Sequence, residues 1–169
     1  MKTKWIVVSA LLLSTTALFA QEKEATKPSQ ELKINLFNLI ASKLADVSYE
    51  KIINEESSYG VGLLFSLDDE SMSLNEYRSF SLTPYYRQFF SNKHAQGFFM
   101  EVFGMLHHSK EIWDAKKFTD FAVGLSAGAK FISRRGFVGE VYLGLGRDLL
   151  GNSKLEMVGR GGISLGYRF

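Results

Sequence analysis

The sequence predicts an all-β fold, specifically an eight-stranded antiparallel up-and-down transmembrane β-barrel. From residue 32 onwards the chain divides into about eight runs in which apolar and polar side chains alternate, and a period of two is that of a β-strand. The composition agrees, because 14 Phe, 7 Tyr and 15 Gly with only 2 Pro favour strands rich in aromatic residues. The last run reaches the final residue, Phe169, and such a strand must be held in a sheet. A closed barrel meets that requirement.

The N-terminal residues predict export. Lys2 and Lys4 precede an apolar run at 5–13, and residues 17–20 read Ala-Leu-Phe-Ala before a charged segment. This is the pattern of a secretory signal peptide cleaved near Ala20, since the run is shorter than the roughly 20 residues that a spanning helix needs. We therefore divide the chain into a signal peptide (1–20), a polar, flexible leader (21–31) and the barrel (32–169).

Charge and cysteine content exclude several classes of protein. Two of the 20 Lys and Arg leave with the signal peptide, so the mature chain carries 18 basic against 18 acidic side chains. This balance argues against a nucleic-acid partner. The absence of Cys argues against a disulfide framework and against a lipoprotein. No later apolar stretch approaches the length of a spanning helix, so insertion into a membrane would have to use strands.

Turn residues separate the eight runs. The runs are 32–40, 44–53, 59–67, 77–90, 96–108, 118–132, 137–147 and 157–169. Pro84 lies within the fourth, where it removes a ladder hydrogen bond. Short turns at 54–58, 91–95 and 133–136 alternate with longer connections at 68–76, 109–117 and 148–156, and Gly136 supplies a positive φ. Only the first outer connection, 41–43, is short, so the pattern is largely that of an outer-membrane barrel with a periplasmic N-terminus.

One face of these runs collects most of their charges. These residues are Lys33, Glu50, Arg87, Glu101, Asp120, Lys130, Glu140, Arg160 and Arg168. Five cations and four anions on a shared face suit a narrow barrel interior, where each ion needs a partner. The opposite face is almost free of charge and carries Phe or Tyr near many strand ends, as the aromatic girdles of membrane barrels do. We therefore assign the nine residues to a charge network that fills the lumen, and the apolar face to lipid.

Three segments carry a resemblance to a known class of protein. They are Ser-Tyr-Glu at 48–50, Gly-Leu-Ser-Ala-Gly-Ala-Lys at 124–130 and Gly-Tyr-Arg-Phe at 166–169. With the signal peptide and the eight runs, they resemble small outer-membrane β-barrels of the OmpA/OmpX-like kind. More closely, they resemble a family of such barrels in Gram-negative bacteria that has no assigned activity.

The resemblance covers about residues 31–169 and implies the bacterial outer membrane, with outer-membrane lipid and the barrel-assembly machinery as partners. In that class the C-terminal aromatic strand is the assembly signal, which the resemblance places at Tyr167 and Phe169. We expect a monomer with a structural or surface-interaction role, without catalysis or a cofactor.

His107 and Ser109 form the only cluster that suggests catalysis. They lie two residues apart and share a strand face, as a base and a nucleophile would, and some outer-membrane deacylases pair His-x-Ser with an acid. Their parity puts them on the side of Glu101, at a strand end, which favours polar residues that begin a loop. A lipid A-modifying enzyme using this pair is one alternative, and a soluble, exported, lipocalin-like binding barrel is another. No residue spacing indicates a metal site or a phosphate loop.

Overall fold

A computed structural model describes residues 29–67, 77–91, 93–110, 117–150 and 156–169. Within these ranges eight antiparallel strands form a closed barrel, in which each strand pairs with its neighbours in sequence and the first pairs with the last. The strands are β1 (Gln30–Asn35), β2 (Leu44–Ile52), β3 (Ser57–Ser66), β4 (Tyr77–Phe89), β5 (Gly97–Lys110), β6 (Lys117–Ile132), β7 (Phe137–Asp148) and β8 (Met157–Arg168). The predicted closed, eight-stranded, up-and-down barrel is confirmed.

The barrel has two different ends. The turn end carries the connections 53–56, 90–96 and 133–136 together with both ends of the barrel sequence, and Gly136 has the predicted positive φ of 87°. The loop end carries the connections 36–43, 67–76, 111–116 and 149–156. The longer of these lie mostly outside the described residues. Two of the four are shorter than predicted, because β5 continues through Ser109 and Lys110 and β7 includes Asp148. The other two are longer, because β1 ends at Asn35 and β3 at Ser66.

The first run is only partly a strand. β1 ends at Asn35, and a short helix, α1 (Leu36–Ser42), follows it. The Asn35 side chain accepts a hydrogen bond from the Asn38 N–H at 3.2 Å, and Lys43 ends the helix in a left-handed conformation. Asparagine is among the preferred N-cap residues, so this local bond competes with the strand that the apolar alternation favours. Within the described ranges, no helix has the length and apolar character required to cross a membrane.

The boundary between leader and barrel also differs from the prediction. Gln30 and Glu31 belong to β1 and pair with Lys51 and Glu50 of β2. Glu31 is fully buried, and its charge made it resemble the polar leader that precedes it. The described barrel therefore begins before residue 32.

Side chains alternate between the lumen and the outer surface as predicted. Along β7, Tyr142 is 7% exposed, whereas the next residue, Leu143, is 64% exposed. One irregularity occurs in β4, where a bulge between Arg78 and Phe80 buries Arg78 and leaves Ser79 exposed. β4 continues through Pro84, which pairs with Val61 of β3 and has no register partner in β5. The missing N–H therefore interrupts one ladder without ending the strand.

Glycines on the lumen face make room for aromatic rings. A Cβ atom on Gly128 would lie 2.7 Å from Cζ of Phe99 and 2.7 Å from Cβ of Tyr142, closer than van der Waals contact allows. Phe99 itself is 2% exposed. The glycine and the ring therefore fill one volume together, which is how a narrow barrel accommodates large interior side chains.

Candidate functional site

A continuous series of ion pairs extends along the lumen, beginning at the turn end. Arg168 Nη2 lies 2.5 Å from Glu31 Oε1, and Glu31 Oε2 lies 2.8 Å from Lys130 Nζ. Lys130 Nζ in turn lies 2.5 Å from Glu50 Oε1. Cations and carboxylates alternate along this part of the series, and Glu31 lies between Arg168 and Lys130.

The series of ion pairs continues from Glu50 towards the loop end. Lys33 Nζ lies 2.5 Å from Glu50 Oε2 and 2.8 Å from Glu140 Oε2. Arg87 donates to both oxygens of Glu140, at 2.6 and 2.9 Å, and its Nε donates to Glu101 at 2.7 Å. Arg160 pairs with the other oxygen of Glu101. We call the whole set the lumen network: Glu31, Lys33, Glu50, Arg87, Glu101, Lys130, Glu140, Arg160 and Arg168.

Glu50 is the hub of the lumen network. Its carboxylate contacts Lys33, Lys130 and Arg87 at 2.5, 2.5 and 2.9 Å. It also accepts hydrogen bonds from the Ser58 hydroxyl at 2.6 Å and the Tyr85 hydroxyl at 3.3 Å. The residue is fully buried. A buried carboxylate is tolerated only with such compensation, because charge transferred out of water must be met by partners of good geometry.

Aromatic rings fill the space between these ions. The guanidinium carbon of Arg87 lies 4.3 Å from the centre of the Phe99 ring and 4.6 Å from that of Tyr85. Arg160 lies 4.9 Å from the Tyr85 ring and 5.2 Å from the Tyr142 ring. Contacts of this kind add a cation–π attraction to the ion pairs. The rings and the ions therefore pack against one another inside the lumen.

The connection 90–96 folds against the turn end of the barrel. Arg168 donates to the carbonyls of His94 and Ala95 at 2.9 and 2.8 Å, and the Ala95 N–H donates to the Glu55 carbonyl at 2.7 Å. Ala95 is fully buried. The last cation of the lumen network therefore also secures the segment that covers this end.

The predicted site residues divide into two groups. Eight of the nine lie in the lumen network, and Glu31 replaces the ninth, Asp120. Asp120 is buried near the loop end, where it accepts from the N–H groups of Phe121 and Leu150 at 2.8 and 2.9 Å. Glu31 was missed because it was placed in the leader, although its position two residues before Lys33 puts it on the same strand face.

The proposed assembly residues lie where β8 closes on β1. The Tyr167 ring is exposed and meets the Phe137 ring edge-on at 5.7 Å. The Phe169 N–H donates to the Gln30 carbonyl at 2.9 Å, which ties the end of β8 into the sheet. Recognition of these residues by an assembly machinery stays a prediction.

His107 and Ser109 do not begin a loop, because both lie within β5 and both are fully buried. His107 Nδ1 lies 2.9 Å from Ser109 Oγ, and His107 Nε2 lies 3.0 Å from Asp148 Oδ1. The expected parity, on the side of Glu101, is correct. Asp148 was missed because it was assigned to a connection. The three side chains form a hydrogen-bonded row across the loop end of the lumen.

The described residues include no group of three or more His, Cys, Asp or Glu side chains placed to hold a metal ion. No known protein family, curated protein or solved structure shows a significant match to this chain. Interpretation of the site therefore rests on its own geometry.

Proposed function

We propose that this chain is an integral outer-membrane β-barrel of the OmpA/OmpX-like kind, with a structural or surface-interaction role. The observation that carries the proposal is the inversion of polarity between its faces. The lumen holds the charged network, whereas large apolar side chains stand exposed around the outside, among them Leu125 (59%), Leu143 (64%) and Leu145 (60%). Monomeric soluble proteins rarely expose continuous apolar surface of this extent, and lipid is the environment that accepts it.

Strand length and the sequence features support the same proposal. β4 to β8 run for 12 to 16 residues, longer than the five or six of an average soluble strand. The predicted signal peptide, cleaved near Ala20, directs the chain out of the cytoplasm. Outer-membrane lipid and the barrel-assembly machinery are the partners proposed, and the barrel acts as a monomer.

The lumen network serves this barrel as internal support. Its ions pair with one another and with rings, so we propose that it neither conducts solutes nor performs catalysis. A soluble, lipocalin-like barrel would place apolar side chains inside and polar ones outside, the reverse of the faces described above.

Membrane fractionation combined with two arginine substitutions tests the proposal. The protein should stay with outer membranes after carbonate extraction. In bilayers, Leu143→Arg near the middle of β7 should lower the free energy of unfolding by about 2–4 kcal/mol, because lipid solvates the charge poorly there. Leu149→Arg, just beyond the same strand, should cost no more than about 1 kcal/mol. Release by carbonate, or equal and negligible costs at both positions, contradicts the proposal.

The lipid A-modifying alternative has one observation in its favour, the contact of His107 with both Ser109 and Asp148. A base held between a hydroxyl and a carboxylate is the arrangement of a serine hydrolase. Against it, both His107 and Ser109 are fully buried and face the lumen. We assign these three residues to the structure of the loop end. Turnover of lipid A by the purified protein that disappears in Ser109→Ala would reverse this assignment.

A further inference from the structure

The barrel wall contains a gap near its loop end. β1 ends at Asn35, which pairs with Ser164, so residues 157–163 of β8 have no strand partner on that side among the described residues. On the other side of the gap, β2 continues beyond its last β1 pair, Val47, to Leu44. Helix α1 lies between the two strands and contacts both. We call this feature the lateral gap.

Side chains replace the missing ladder along the gap. Asn35 Nδ2 donates to the Gly161 carbonyl at 3.1 Å, and Arg78 Nη2 donates to the Gly159 carbonyl at 3.3 Å. Asp46 holds the helix from the β2 side, since its Oδ2 accepts from Asn35 at 3.0 Å and from Asn38 at 2.7 Å. A few side-chain bonds therefore close this part of the wall, where a continuous ladder closes the rest.

A polar cavity lies directly behind the gap. The residues that line it include Asn38 of α1, Gly159 and Gly161 of β8, the hydroxyls of Ser81 and Thr83, and the side chains of Arg78 and Arg160, with Asp46 of β2 as its acidic member and Leu64 and Met105 as apolar ones. Asp46 accepts hydrogen bonds from Asn35 and Asn38, so the two guanidinium groups outnumber the acidic group in the lining. Its volume is about 20 Å³, enough for one water molecule. Both arginine side chains are at least nine-tenths buried. The cavity occupies the loop-end side of the lumen network, which ends at Arg160.

The outer face of the helix is apolar. Phe37 is 46% exposed and Ile40 is 78% exposed, whereas Asn38 points inward to Asp46. In a membrane barrel the exposed residues would contact acyl chains, while the cavity one helix diameter away presents guanidinium and hydroxyl donors. An amphiphile has both an acyl chain, which would contact Phe37 and Ile40, and a polar head group, which would meet these donors.

We propose that the lateral gap is a binding site for a membrane amphiphile whose anionic head group occupies the cavity between Arg78 and Arg160, reaching it through the gap when α1 moves away from β2. This inference rests on the proposed membrane location. Guanidinium groups bind phosphate and carboxylate through charge-assisted hydrogen bonds, and hydroxyls such as that of Thr83 add donors. Because the closed cavity holds only one water, a head group displaces α1, which breaks the bonds of Asn35 and Asn38 but no strand ladder.

Native mass spectrometry of the full mature chain tests the binding. The probe is phosphatidylglycerol, with inorganic phosphate alone as the second arm. The wild-type protein should retain one lipid per chain, and Arg78→Gln should reduce retention about tenfold, as expected for one lost charge-assisted bond. Thr83→Val, which keeps the side-chain shape, should reduce it in the same direction. Arg147→Gln, at an exposed arginine paired with Glu156, is the matched control and should retain the lipid.

If the Arg78 and Arg147 variants retain equal amounts of lipid, the retained lipid only surrounds the barrel, and the lateral gap is not a binding site. If the protein binds inorganic phosphate but does not retain the lipid, the cavity binds anions from solution, and the proposal that an amphiphile enters it from the membrane is wrong. Either result can be obtained with a protein that stays in the membrane during carbonate extraction. In that case the amphiphile site is wrong, whereas the proposed membrane location is unaffected.

The route through the gap has its own test. The chain contains no Cys, so an Asn38→Cys, Asp46→Cys pair can be joined selectively by a short reducible cross-linker, because the two native side chains meet at 2.7 Å. Cross-linking should prevent lipid uptake, and reduction should restore it. Uptake that is unchanged by the cross-link overturns movement of α1 as the route.

Discussion

Neutralising Glu50 should destabilise the barrel more than any surface change, because this carboxylate is shared by three cations. Glu50→Gln keeps the shape of the side chain and removes its charge. The lumen network then holds five cations against three carboxylates instead of four. Lys33 and Lys130, each 2.5 Å from Glu50, lose a counter-ion although their side chains are fully buried.

The magnitude follows from the cost of breaking a buried pair. Removing one partner of such a pair costs about 3–5 kcal/mol, because the remaining charge is left uncompensated. Glu50 has three cationic partners, but these share one charge and keep Glu31 and Glu140 as further partners, so their contributions do not add. We expect a loss of about 3–5 kcal/mol in the free energy of unfolding.

Urea unfolding in lipid vesicles, followed by tryptophan fluorescence and by gel mobility without heating, measures this loss. Glu156→Gln is the matched control, because Glu156 forms an exposed pair with Arg147 and such pairs contribute about 0–1 kcal/mol. Adding Lys33→Met to Glu50→Gln restores the charge difference of the network and should recover part of the loss. If Glu50→Gln costs no more than Glu156→Gln, the network does not support the barrel and the reasoning fails.

Three further predictions concern packing, the lateral gap and assembly. Gly128→Ala should cost about 1–3 kcal/mol in the same unfolding assay, because its Cβ would lie 2.7 Å from the Phe99 ring, whereas Gly139→Ala, whose nearest neighbour is 3.9 Å away, should be close to neutral. Asn35→Ala should cost about 1–3 kcal/mol and speed hydrogen exchange in α1, since it removes the cap and the bond to Gly161; unchanged exchange would contradict a role in closing the gap. Phe169→Ala should lower the amount of protein in outer membranes while the purified variant still refolds in vitro, and normal membrane levels would remove Phe169 from the assembly signal.

Alternation along single strands was enough to predict the two faces of the barrel. In β8, Ile163, Leu165 and Tyr167 were assigned outward and are 52%, 49% and 44% exposed, while Arg168 was assigned to the lumen and is 7% exposed. The same rule placed Lys33 and Glu140, far apart in sequence, on a common interior face. Strand geometry makes this possible, because successive side chains point to opposite sides whatever the rest of the chain does.

Local exceptions to alternation were harder to predict. A capped asparagine turned the end of the first run into α1, and a bulge brought Arg78 into the lumen. Phe99 and Phe103 were not predicted as interior residues, although they share the parity of Glu101, because large aromatic rings were expected on the lipid-facing side. A parity count over every residue type would have found these rings.

The sequence by itself thus determined the number of strands, their order and the inward face of most of them. Only the tertiary structure decided which ions pair, that Glu50 is shared by three cations, and that Asp148 of β7 meets His107 of β5. The side of the sheet to which a residue points is a local property of one strand. Which interior residues touch one another depends on the register, tilt and bulges of all the strands in the barrel. The lateral gap belongs to the second kind, since it exists only where a short β1 and a long β8 meet.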